Sequence, residues 1–340
     1  MVKNVRIKEI CTSTLSCEPI LRRTQNGELL CVCQCDGPYE PHPDNRVYFF
    51  CSADNGETWT EKELIYPEDG NAVYCTEVSV FDDEITAYLT VHSGRFFDWQ
   101  CVMMKSFDNG HTWNNYGAPP FFEGYTFIRG AVELTNKNIV IPYQHYEVKQ
   151  ETVEWLNKTT EIERKAIWHL NPKYCESGVL ISKDGGENFS RHIAAKVENT
   201  HEIIWLEPTV AEVENGKMIM LMRIDGSGCL WKCESIDGGK SWSEIVKTDI
   251  PNPSCKAKLI NLEKGKIALI TTPNSKSGHR YPLSLWISAD GAKTWEYKTV
   301  LTDFPGRYHY PDGVYENGHI LFSIEHNRHT VLFFDVELDV

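Results

Sequence analysis

The chain has 340 residues, 41% hydrophobic and 11% aromatic, enough apolar material for a sizeable core and a composition that argues against disorder. Its 34 basic and 48 acidic residues leave a net charge of −14, which excludes a nucleic-acid surface but still allows a small acidic ligand held by a few arginines. The opening MVKNVRIKEICTS lacks the apolar run of a signal peptide, no stretch approaches a membrane span, and 12 cysteines without a Cys-x-x-Cys pair fit a reducing compartment, so the cytoplasm is expected.

In chain order, VRIKEI reads as a strand with no partner nearby. CEPILRRTQNGELLCVCQ then gives two apolar strands around a polar turn, and NRVYFFCSADNGETW a third strand that runs into a short box. TEKELIYP supplies a fourth strand after the box. Cys31, Cys33 and Cys35 alternate along one of these strands and so share a face, where they are expected to pack as small buried hydrophobes rather than hold a metal.

The box recurs. It reads Ser-x-Asp-x-Gly-x-Thr-Trp at Ser52 to Trp59 and Ser106 to Trp113, with looser copies at Ser182 to Phe189, Ser235 to Trp242 and Ser288 to Trp295. Asp followed by Asn or Gly and then Gly signals a tight reversal, because such turns need positive backbone dihedrals. The Asp carboxylate is expected to accept bonds from the turn amides, with the closing aromatic packed beneath. Ala292 replaces the second Gly in the last copy, so that turn is expected to differ slightly.

Successive boxes begin 54, 76, 53 and 53 residues apart, the size of a four-stranded propeller blade. Five boxed blades run from about 13 to 302. The remainder, 304 to 340, holds strands without a box, and it completes a sixth blade if VRIKEI pairs with VLFFDVEL. The expected fold is therefore all-β, a six-bladed β-propeller whose last blade is closed by the two termini, as one catalytic domain over 1–340. The longest interval holds an insertion at about 145–172, with scattered apolar residues and one helical segment, of the kind that serves as a lid or a contact.

Counting nine residues back from the first turn of each blade gives Glu18, Arg129, Glu207, Lys256 and His309, with Glu77 as the nearest equivalent in blade two. These positions start the innermost strands. Mixed charges converging there from separate repeats suit a polar catalytic or binding funnel, since burying them without a use is costly.

With these motifs the chain resembles the sialidase (neuraminidase) superfamily of six-bladed propellers. The resemblance rests on LEPTVAEVENGKMIMLMR (Leu206 to Arg223), RYPLSLWISADGAKTW from Arg280, and YHYPDGVYENGHILFSIE around Tyr310. It implies Tyr310 as nucleophile, Glu207 as the base that takes its proton, and Arg223 and Arg280 as ligands of a substrate carboxylate. A neutral tyrosine avoids the repulsion that an anionic nucleophile would meet at an anomeric centre bearing a carboxylate.

The family's first arginine, in an Arg-Ile-Pro motif, is replaced by Cys17-Glu18-Pro19, leaving Arg129 or Arg307 to fill that place. The resemblance implies a general acid in the loop CDGPYEPHPDNRV, where Asp44, Glu40 and Asp36 compete and Asp44 leads because it directly precedes the next strand. Asp312, beside Tyr310, completes the candidates.

The preferred function is a retaining, sialidase-like exo-glycosidase acting on a terminal sugar, with acidic and other sugars both left open by the sequence. The alternatives are a polysaccharide lyase, for which His309 beside Tyr310 would serve, and a non-catalytic glycan-binding propeller. The expected partner is a carbohydrate, with no cofactor, metal, nucleic acid or membrane, and no motif addresses oligomeric state.

Overall fold

The computed structural model describes residues 1–81, 83–94, 98–119, 125–158, 172–198 and 204–339. Six antiparallel sheets form the blades of a β-propeller. From the axis outward, blade one is Ser16–Arg23, Leu29–Cys35, Arg46–Ser52 and Glu63–Leu64. Blade two is Ala72–Phe81, Glu84–His92, Gln100–Ser106 and Asn114–Asn115.

In blade three the inner strand is broken into Tyr125–Ile128 and Val132–Glu133, both paired with Ile139–Val148, and Pro172–Ser182 and Ser190–Glu198 follow. Blade four is Leu206–Glu214, Lys217–Ile224, Cys229–Ser235 and Val246–Pro251. Blade five is Lys258–Asn261, Ile267–Thr271, Ser284–Ser288 and Tyr297–Val300. Of the expected insertion at 145–172, the first residues belong to the strand Ile139–Val148, Gln150–Lys158 is helical, and 159–171 lies outside the described residues.

Blade six closes the ring as expected. Tyr308–Glu316, His319–His326 and Thr330–Leu338 are joined on their outer side by the N-terminal Val2–Thr12, with Val5 opposite Val336 and Ile7 opposite Phe334. Pairing the two termini hides strand edges that would otherwise be open to another chain.

Burial follows position in the blade. The second strand is covered by a neighbouring blade on each face, so Leu29–Cys35 is buried at every residue and reads as a continuous apolar run rather than an alternation. Outer strands such as Tyr297–Val300 are largely exposed. Apolar clusters fill the six junctions between blades: Val32 and Phe49 meet Val73 and Leu89 between blades one and two, and Ile10 and Phe333 meet Cys31 and Phe50 between blades six and one. Cys31, Cys33 and Cys35 belong to this last cluster, and Cys33 and Cys35 there also come close to Cys11 of blade six.

Each box closes the hairpin between the third and fourth strands through the same bonds. In the first, the Asp54 carboxylate accepts from the Ser52 hydroxyl (2.8 Å), the Thr58 amide (2.9 Å) and the Thr58 hydroxyl (2.6 Å), while the Gly56 amide donates to Ser52 Oγ (2.8 Å). The fifth copy was expected to deviate and does not: Ala292 adopts φ 60° and its amide donates to Ser288 Oγ at 2.9 Å. A single methyl at positive φ is tolerated where the remaining bonds over-determine the turn.

The box also does more than hold a hairpin. Gly56 of blade one lies against the ring of Phe333 in blade six, Gly110 of blade two against Leu30 of blade one, and Gly239 of blade four against Val179 of blade three. Several boxes thus wedge onto the preceding blade. Gly56→Ala places its methyl into the Phe333 ring at a φ of 82°, and we expect a loss of about 2–4 kcal/mol in urea unfolding. A loss below about 1 kcal/mol would mean that the junction yields.

Candidate active site

The inner strands lose their regular pairing where they carry charge. Register shifts fall between Cys17 and Ile20, between Cys75 and Glu77, and between His309 and Asp312, and blade three has its break around Arg129. Glu18 and Tyr310 sit within these irregularities at φ 50° and 52°. A bulge re-aims a side chain, and left-handed backbone at non-glycine residues persists only where the surroundings enforce it.

The re-aimed side chains make two layers. In the first, near the starts of the inner strands, the Tyr310 hydroxyl donates to Glu207 Oε1 at 3.2 Å. Arg223 Nη1 donates to Glu207 Oε2 at 2.7 Å and to the Tyr310 oxygen at 3.2 Å, and its Nε donates to Asp225 at 2.8 Å. Arg129 reaches Glu207 at 3.3 Å and Glu18 at 3.2 Å, and donates to the Tyr74 hydroxyl at 3.2 Å. Tyr74 in turn donates to Glu18. The guanidinium carbons of Arg129 and Arg280 lie 5.9 and 6.0 Å from the centre of the Tyr310 ring.

Burial tends to raise the Glu207 carboxyl, but Arg223 and Arg129 together hold it below its ordinary value, so it is an anion at rest. Burial, helped by Glu207 and Glu18, raises the Tyr310 phenol well above its usual range, so it is neutral. His309 is 1% exposed, and burial together with Arg280 keeps it uncharged. An Arg280 N–H donates to its Nδ1, which leaves the ring proton on Nε2.

The second layer lies deeper along the same strands. Asp312, 0% exposed, is bound by Arg22, by Lys258 at 3.0 Å and by Lys256 at 3.9 Å, and Arg22 also pairs with Glu77. Arg22, Lys258 and Lys256 hold the Asp312 carboxyl far below its usual range against the effect of burial. This belt ties blades one, two, five and six together.

The structure thus gathers Tyr310, Glu207, Arg223, Arg280, Arg129, Glu18 and His309 in one cluster, and puts Glu77, Lys256 and Asp312 in the belt. Asp44 is exposed at the loop tip, its carboxylate 3.5 Å from His42. Asp36 takes the Tyr48 hydroxyl at 2.6 Å and Lys62 at 3.0 Å. Of the three loop carboxylates, Glu40 is the one turned to the cluster, where it pairs with Arg328. Arg307 is exposed, whereas Arg328 comes beside Glu40 and Glu325 near Cys17, where the missing first arginine was sought.

Sequence reasoning missed Tyr74, Arg22, Lys258, Glu325 and Arg328. The bulge between Cys75 and Glu77 puts Tyr74 in the cluster and Glu77 in the belt, and a count of residues carries no sign of it. Arg22 lay within an apolar-looking strand. Glu325, wholly buried, has its carboxyl pushed up to about 7 by burial, with Glu18 adding to the rise and Arg328 and Arg280 opposing it. Its Oε1 is 3.4 Å from His309 Nδ1.

Removing the Asp312 charge leaves buried Lys256 and Lys258 without their anion and Arg22 with Glu77 alone. Asp312→Asn is expected to cost about 3–5 kcal/mol in denaturant unfolding, and a cost below about 1 kcal/mol would deny the belt a structural role. Glu325 gives a pH signature. Its folded value is raised, so its contribution is complete below its ordinary 4.5 and is lost as pH rises through about 7. Relative to Glu325→Gln, the native chain should lose on the order of 3 kcal/mol across that interval in melting experiments. Parallel curves would contradict the assignment.

Comparison with known proteins bears on this geometry. The BNR repeat-like domain family matches residues 27–322. A protein of Bacteroides fragilis described as a sialidase is 35% identical over 214 residues, which cover 58% of this chain and 33% of that protein, so the match spans about one third of the relative's length. Among solved structures, the Hadza microbial sialidase Hz136 superposes with a TM-score of 0.73 at 20% identity, covering 96% of this chain and 66% of its own. A Dyadobacter fermentans protein of unknown function superposes at 0.74 with 18% identity, covering 98% and 99%. Trypanosoma rangeli sialidase gives 0.68 at 15% identity, covering 94% and 54%. At such identities these structures establish the shared fold alone.

Proposed function

The chain belongs to the BNR repeat-like domain family, and from its site we propose that it is a sialidase-type glycoside hydrolase that works with retention, with Tyr310 as nucleophile and Glu207 as its base. The observation that carries this reading is the 3.2 Å bond from the Tyr310 hydroxyl to Glu207, with Arg223 donating to both partners.

In the proposed reaction the Tyr310 oxygen attacks the anomeric carbon while its proton passes to Glu207, and the bond to the leaving oxygen breaks. Arg223, Arg129 and Arg280 surround the phenol and stabilise the charge that grows on its oxygen. Water then hydrolyses the glycosyl-tyrosine. Protonation of the leaving group is assigned to Glu40, the loop carboxylate turned to the cluster, in place of the exposed Asp44.

Arg223 and Arg280 are assigned to an acidic group of the sugar, which a planar guanidinium can bind through paired hydrogen bonds. Glu18 does not oppose this, because Arg129 and Tyr74 already engage its carboxylate. The lyase alternative needs a basic His309. With its Nδ1 lone pair committed to Arg280 and a proton on Nε2, the buried ring offers none.

A panel of aryl glycosides, comprising an α-sialoside, uronides and neutral sugars, tests the reading. We expect turnover of the sialoside, and a fall of about 10²–10⁴-fold in kcat for both Tyr310→Phe and Glu207→Gln. Full activity in either variant removes the assigned pair. An unsaturated product from a uronate polymer would make the chain a lyase.

A further inference from the structure

A second cluster lies away from the channel, where the ring closes. Cys11 comes from the N-terminal strand of blade six, and Cys33 and Cys35 from the second strand of blade one. Their sulfurs lie within 4.8 Å of one another, Cys11 to Cys33 at 3.9 Å and Cys33 to Cys35 at 3.6 Å. The Ser16 hydroxyl, fully buried, stands 3.9 Å from Cys11 Sγ and 3.8 Å from Cys35 Sγ.

Side chains two apart on a strand project from Cα atoms about 7 Å apart. The 3.6 Å between the Cys33 and Cys35 sulfurs therefore means that the two side chains lean toward each other. Three sulfurs each about 2.3 Å from one cation lie about 3.8–4.0 Å apart, close to the spacings observed. A disulfide would need about 2.05 Å, and all three thiols are free.

We propose that Cys11, Cys33 and Cys35 form a three-thiolate site for a single thiophilic d10 cation of the zinc or copper(I) type, with the Ser16 hydroxyl or a water completing its shell. The surroundings favour a soft ion. The thiols belong to the apolar cluster between blades six and one, with Tyr48 opposite Cys33 on the adjacent strand, and partly buried Cys11 forms the open edge, through which an ion enters. Metal binding releases the thiol protons to solvent.

The site joins the closing strand to blade one, so a bound ion pins the ring shut. This role is independent of the proposed hydrolysis, because none of its residues belongs to the Tyr310 cluster.

The test uses the full chain, reduced and stripped of metal. Titration with Cd2+, a spectroscopic stand-in for zinc, is expected to raise a thiolate-to-metal charge-transfer band that saturates at one equivalent. Zn2+ should displace it, and Cu+ is titrated in a second arm against a chromophoric chelator. Binding should weaken by about a hundredfold or more in Cys11→Ser and Cys33→Ser, and stay unchanged in Cys101→Ser. The ion should also raise the melting temperature of the native chain and not that of Cys11→Ser, whose partly exposed position lets the variant fold. A native chain with no saturable band, or a Cys11→Ser chain that binds one ion as tightly, overturns the proposal.

Discussion

The arrangement at the centre of the propeller depends on one buried carboxylate. Glu207, 3% exposed, would be pushed toward its neutral form by burial alone. Arg223, from the neighbouring strand of the same blade, and Arg129, from the blade before, keep it charged. Once it is an anion it must be satisfied, and the Tyr310 hydroxyl meets that requirement from blade six. Arg129 then needs a second acceptor, which Glu18 of blade one supplies with Tyr74 of blade two alongside. One desolvated charge thus aligns five of the six blades around a single point.

Such a cluster stands only on a scaffold that fixes the distances between blades. The deeper belt of Arg22, Glu77, Lys256, Lys258 and Asp312 does this near the axis, and the apolar junctions do it further out. The boxes add a third restraint at the rim, since several of them press onto the preceding blade through the position of the second Gly. Their chemistry stays within the turn, where each aspartate serves its own hairpin. The most repeated motif therefore sets geometry, and the residues that differ from blade to blade carry the reactive groups.

The division into two layers comes from irregular backbone. A perfectly paired inner strand alternates its side chains strictly along its length. The shifts at Glu18, Glu77 and Tyr310 break this alternation, turning Glu18, Tyr74 and Tyr310 into the upper cluster and leaving Glu77 and Asp312 below. Positive φ at Glu18 and Tyr310 marks where the chain bears the cost, and the Tyr310–Glu207 and Glu18–Arg129 bonds offset it.

By itself the sequence determined the six blades, the five boxes, the closure by the N-terminal strand and the inner-strand positions of Glu18, Arg129, Glu207 and His309. Those features are legible because each depends on short-range chemistry: turn residues at fixed offsets, apolar runs of strand length and a constant repeat. The Tyr310–Glu207 pair implied by the resemblance does form, across 103 residues, but only the tertiary structure decided that Tyr74 enters the cluster, that Arg328 comes beside Glu40, that Asp44 faces solvent, and that Asp312 is locked in a belt of cations. A bulge leaves no fixed mark on a chain and moves its neighbours to another face. The partners of a buried charge are chosen by desolvation, which acts only when distant strands have come together.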